Sequence, residues 1–134
     1  MEDLKSFACT LYSDFRHATI VNHVSVGKAK AWFQRWLDMD VDYIDIKCRK
    51  IGVPATTEDF IRTAKYRNIP FAYCGMSVEV GGEKGWIVGK NASANLNILF
   101  AEDSKHRGLI LNCHPNWMIK YFDKQGNIIK EFKN

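Results

Sequence analysis

The sequence predicts an α+β protein in two modules, a ββαβα layer over residues 1–69 and a small β-barrel over residues 70–134. Three observations predict it. β-Branched residues and period-2 alternation mark three strands in the first half. Two stretches that carry a capping residue and one apolar face mark helices between and after those strands. Past Pro70, short strands recur every ~8–12 residues between turn signals, as in a small barrel or sandwich.

Residues 6–24 read as two strands around a turn at Ser13-Asp14, with Thr19, Ile20, Val21 and Val24 favouring extended backbone. Ser25 can cap a helix from Val26 to Leu37. On a helical wheel Ala29, Trp32, Phe33, Trp36 and Leu37 share one arc, and Lys28, Lys30, Gln34 and Arg35 share the other. In the next strand Ile44, Ile46 and Cys48 alternate with Asp45, Lys47 and Arg49. Thr56 or Thr57 then caps a second helix that runs to about Arg67, with Glu58 and Asp59 at its positive end. Phe60, Ile61 and Ala64 make its buried face, while Arg62, Lys65 and Tyr66 face out. Pro70 disfavours helix at the residue before it and sets the module boundary.

In the second module Val78 and Val80 bracket Glu79, and Gly81-Gly82 supplies a turn. A strand follows over residues 85–89, then a polar loop over 91–95. Leu96, Ile98 and Phe100 alternate with Asn95 and Asn97, and a charged loop fills 102–107. Strands over 109–111, 118–122 and 128–132 complete the set, the last two joined by a turn at 124–127.

Apolar residues make up 46% of the chain and charged residues 25%, which excludes disordered, collagen-like and coiled-coil readings. Nineteen Lys and Arg against 15 Asp and Glu give +4, an excess that permits nucleic acid or an acidic partner without requiring either. No apolar run approaches the ~20 residues of a membrane helix, and no segment has the pattern of a signal peptide. The expectation is a protein of the cytoplasm, in a bacterial host cell, with no membrane partner. Cys9, Cys48, Cys74 and Cys113 are spread singly, without a CxxC pair, and are expected as buried or partly buried free thiols. Cys113 and His114 are neighbours, and adjacent ligands rarely share one tetrahedral metal, so no metal or other cofactor is expected.

The run Gly75-Met76-Ser77-Val78-Glu79-Val80-Gly81-Gly82-Glu83-Lys84-Gly85-Trp86-Ile87-Val88-Gly89 resembles the opening of SH3-like and KOW-type small barrels. Gly81 or Gly82 would allow positive φ in the hairpin, and Gly85 would allow close strand approach. The resemblance implies an SH3-like barrel; it does not by itself imply RNA or DNA. The patterns Gly27-Lys28-Ala29-Lys30, Tyr66-Arg67-Asn68-Ile69-Pro70-Phe71, Ile87-Val88-Gly89-Lys90-Asn91-Ala92-Ser93-Ala94-Asn95 and Asn112-Cys113-His114-Pro115 together resemble a type of small protein met in bacteriophages and prophages. That likeness implies a setting and no mechanism.

Two groups of residues are candidates for function. The first is a phosphate-binding set: Lys28, Lys30 and Arg35 on the first helix, Lys47, Arg49 and Lys50 on or after the strand, and Arg62, Lys65 and Arg67 on the second helix. Interspersed Asp38, Asp40, Asp42 and Asp45 argue instead for plain solvated faces. The second is a polar ligand or partner loop: Lys90, Asn91, Ser93 and Asn95, joined by Asn112, His114 and Asn116. The alternatives are, over 90–95, a turn whose Asn and Ser side chains bond their own backbone and, over 112–117, a pre-proline turn whose Trp117 fills the core. Cys113 and His114 would point to opposite faces of a strand, which argues against a thiol nucleophile. Paired carboxylates and phosphate-binding glycine loops are not recognisable. The sequence therefore points to a non-enzymatic nucleic-acid-binding accessory protein of a phage or mobile element, with DNA or RNA as partner. The alternative is a phage-encoded module that inhibits or sequesters a host defence or transcription complex.

Overall fold

The computed structural model describes residues 3–14, 16–101, 103–106 and 108–134. Among them are nine strands in two antiparallel sheets and two α-helices, which makes the fold α+β. The charged loop expected over 102–107 includes Glu102 and Arg107, which lie outside the described residues. No helix among the described residues is long and apolar enough to cross a membrane. The chain divides between Pro54 and Ala55 into two compact units.

In the first unit, β1 (Lys5–Leu11) lies between β2 (Ala18–His23) and β3 (Ile46–Gly52). The helix α1 spans Val26–Leu37, as its sequence predicts. Ser25 is its N-cap, with the hydroxyl accepting from the Lys28 N–H at 3.3 Å. Alternation along β1 sends Phe7, Cys9 and Leu11 into one core with Val21, Ile46, Ala29 and Phe33. The β1–β3 register sets Cys9 directly opposite Cys48, with Cα atoms 4.2 Å apart, and the two form a disulfide. The expectation of free thiols is thus corrected for this pair. Its partners are 39 residues apart, and only the strand register brings them together. Cys74 and Cys113 are free.

In the second unit, α2 (Glu58–Tyr66) is capped by Thr57, whose hydroxyl accepts from the Phe60 N–H at 3.1 Å. Six strands follow: β4 (Ser77–Val80), β5 (Glu83–Lys90), β6 (Leu96–Phe100), β7 (Ile110–Cys113), β8 (Ile119–Phe122) and β9 (Ile128–Phe132). Their order is β7-β6-β5-β4-β8-β9. The glycines behave as anticipated. Gly81 and Gly82 both take positive φ in the two-residue β4–β5 hairpin. A Cβ on Gly85 would sit 2.7 Å from the Leu99 carbonyl oxygen, so that strand contact requires glycine.

Three expectations change here. The boundary expected at 69/70 falls before α2, because Phe60 and Ala64 of α2 join Val78, Ile87, Ile98, Phe100, Ile119 and Tyr121 in one core. On the same helix Ile61 is 41% exposed, and Thr63, three residues past Phe60, is buried in its place. The barrel does not close: β7 and β9 end the strand order, and no ladder joins them among the described residues. The turn after β8 folds β9 back as a hairpin onto β8, which leaves β7 as an edge.

Candidate functional site

The predicted polar loop connects β5 to β6, and the Asn91 side chain holds it. Asn91 Oδ1 accepts from the N–H groups of Ser93 and Asn95, both at 3.0 Å. The Asn91 N–H donates to the Asn95 carbonyl at 2.9 Å, and Ala94 sits at φ 61 in the turn. This is the self-bonded turn that Asn and Ser favour. Lys90 pairs with Asp59 of α2 at 2.6 Å, and that ammonium, with Arg62 behind it, holds the Asp59 carboxyl below its usual range.

Arg67 organises the surface around this loop. It follows the last residue of α2, where Asn68 at φ 60 turns the chain and the Ile69 N–H closes back on the Ala64 carbonyl at 2.8 Å. The Arg67 guanidinium then reaches the loop. Nε donates to the Ala94 carbonyl and Nη2 to the Ser93 carbonyl, both at 3.1 Å, and Nη2 also meets Asn95 Oδ1 at 3.4 Å. These partners are all neutral oxygens. No carboxylate pairs with Arg67 among the described residues, and its Nη1 carries no hydrogen bond there. The guanidinium is 5.7 Å from the centroid of the Tyr66 ring, and Tyr66 is 77% exposed.

The 112–117 segment joins the same surface through one bond: Asn116 Nδ2 donates to the Arg67 carbonyl at 2.8 Å. His114 is exposed, and its Nδ1 accepts from the Asn116 N–H at 3.0 Å. Tyr121 donates its hydroxyl to the Pro115 carbonyl at 2.6 Å, and burial pushes that phenol's pKa up. Trp117 was expected in the core; it is 55% exposed instead, and its Nε1 donates to Asn134 Oδ1 at 3.1 Å. Asn112 bonds Asn97 across the β6–β7 ladder, which takes it away from the Arg67 surface. Burial raises the Cys113 thiol's pKa, opposite to what a nucleophile needs.

The basic set does not converge within the first unit. Lys28 and Arg35 are exposed on α1, where Lys30 lies 5.5 Å from the Tyr43 ring centroid. Cys48 faces the α1 side of the sheet, so Lys47 and Arg49, paired with Thr10 and Ala8, point to the opposite face. Arg62 and Lys65 are exposed on α2 in the other unit. Sequence reasoning counted Arg67 only as one more basic residue. Its reach to residues 93–95 is a tertiary contact without a local signal.

A separate open cleft of about 740 Å³ lies in the first unit. Asp14, Asp40, Asp42 and Asp45 line it with Tyr12 and Ile44. No group of His, Cys, Asp and Glu able to hold a metal is found among the described residues. No family model matches the chain, and neither the curated proteins nor the solved structures contain a match to it.

Proposed function

We propose that the protein is a non-enzymatic nucleic-acid-binding accessory protein of a phage or mobile element. One observation carries the reading. Arg67 is a cation held in place by neutral oxygens, with no carboxylate on it among the described residues, on a surface that also presents Tyr66, Asn91, Asn95, Asn116 and His114. A fixed guanidinium with an open edge suits phosphate or base oxygens. Exposed Lys28, Arg35, Lys47 and Arg49 add unspecific attraction in the first unit. The phage setting rests on the sequence patterns alone. We also read the second unit as an SH3-like plan opened by one extra hairpin strand. The support is the ladder order: a four-strand meander, β4 to β7, whose fifth strand, β8, returns to β4.

Binding to duplex DNA, single-stranded DNA and RNA at low and physiological salt tests the function. Affinity is expected to fall as salt rises, because each neutralised phosphate releases counterions. An absence of binding to all three removes the reading.

A second reading, a module that sequesters a host protein, has its own support. Edge strand β7 and the residue before it expose Leu109, Ile110 and Leu111 and carry no charge that would blunt pairing with another strand. A pulldown from host lysate with and without nuclease separates the two: a stoichiometric protein that survives nuclease favours this one.

A further inference from the structure

We infer that the Arg67 surface takes single-stranded rather than duplex nucleic acid, with an unpaired base stacked on Tyr66; this rests on the nucleic-acid reading above. The Tyr66 ring has two faces in different situations. One is held by the Arg67 guanidinium, 5.7 Å from the ring centroid. At 77% exposure the ring also leaves open area that a base can cover. The guanidinium is itself fixed to the β5–β6 loop by three hydrogen bonds, so the platform is held before any ligand arrives. Base stacking of this kind is available only to a base outside a duplex.

The polar groups of the β5–β6 loop and of Asn116, both joined to Arg67, suit the same ligand. Asn91 Nδ2, Asn95 Nδ2 and Asn116 Oδ1 carry no hydrogen bond among the described residues. Amide donors and acceptors match the Watson–Crick edges of bases, which a duplex conceals. The cations are too sparse here for a duplex. Lys90 and Arg62 are both spent on Asp59, at 2.6 and 3.4 Å, which leaves exposed Lys65 and the fixed Arg67 as the phosphate contacts that α2 and its end supply. A duplex reader needs several such contacts along its backbone, whereas a single strand can draw affinity from stacking.

Fluorescence anisotropy with labelled oligothymidylate, oligouridylate and a mixed-sequence duplex of equal length tests this. Both single strands are expected to bind at least about tenfold tighter than the duplex. Tyr66→Ala is expected to cost about tenfold in single-strand affinity, while Tyr66→Trp retains it. Tyr66 is too exposed for either change to unfold the protein, and circular dichroism checks that. Equal affinity for duplex and single strand, or an unaffected Tyr66→Ala variant, overturns the inference and leaves nucleic-acid binding standing. Silence from all three probes removes both. A difference between the thymidylate and uridylate arms identifies DNA or RNA as the source of the strand.

Discussion

The first unit buries seven core side chains behind one helix, and the second buries thirteen under a six-stranded sheet and α2, among the described residues. The smaller unit has about fifty residues and the larger about eighty. Only the smaller one carries a covalent bridge among the described residues. Surface burial falls steeply below ~70 residues, and small natural scaffolds compensate with disulfides or metals. The difference teaches where each unit is vulnerable. The first depends on a link between strands, and the second on how closely its strands approach.

Removing the bridge is the strongest way to break this comparison. The loop it closes spans 39 residues, for which chain entropy gives about 4 kcal/mol and measured bridges about 2–4 kcal/mol. Replacing Cys9 and Cys48 by Ser is expected to lower the opening free energy of the β1–β3 amides by that amount in native-state hydrogen exchange. Amides of β5 and β6 should keep theirs. Equal losses in both sheets would mean that the units unfold as one, and the contrast would be lost. Reduction of the native protein should reproduce the variant, because it opens the same Cys9–Cys48 link.

Gly85→Ala is the matching change in the second unit. The new methyl would meet the Leu99 carbonyl oxygen at 2.7 Å and Ile98 Cγ2 at 2.8 Å. A backbone oxygen cannot swing away as a side chain can, so β5 and β6 must separate locally. Overpacking of this kind costs about 1–3 kcal/mol. Chemical denaturation should show the loss, and hydrogen exchange should confine it to the second sheet. Gly89→Ala is the control, since its nearest neighbour is a side-chain nitrogen at 3.5 Å.

What could be read in the sequence follows the same division between local and distant causes. Helix α1 is legible to the residue, because Ser25 caps it and its apolar positions repeat at helical spacing. The β4–β5 hairpin is legible because both turn positions are glycine. The Cys9–Cys48 bridge is not, since a register between strands 39 residues apart decides it. Nor is the open barrel, because nothing local to β9 chooses the edge it pairs with, and it takes β8. Helix α2 shows its apolar face plainly without showing which sheet will cover it. The site divides likewise: Asn91, Ser93 and Asn95 were visible as an unusual loop, but Arg67, which fixes that loop, was visible only as a charge.

The smallest effects come from two aspartates in turns, Asp14 in the first unit and Asp123 in the second. Arg16 dominates at Asp14: its side chain and backbone N–H hold the carboxyl down at about 2, against an ordinary value of 3.8. Asp123 is lowered chiefly by the Asn127 N–H at 2.8 Å, with the Asn127 side chain and the Gln125 N–H assisting. Both folded values lie below the unfolded one. Each aspartate therefore stabilises its turn at neutral pH, and that contribution fades as pH falls below about 4. For Asp14 the loss continues down to about 2. The two differ in the charge of the partner. The Asp14–Arg16 pair is an exposed ion pair that salt screens, whereas the Asp123 turn relies on neutral donors at contact distance. NMR titration of the side-chain carboxyls at low salt and at ~1 M salt should move the Asp14 midpoint up toward 3.8 and leave that of Asp123 nearly fixed. Equal movement of the two would show that long-range charge, rather than the local donors, sets both values.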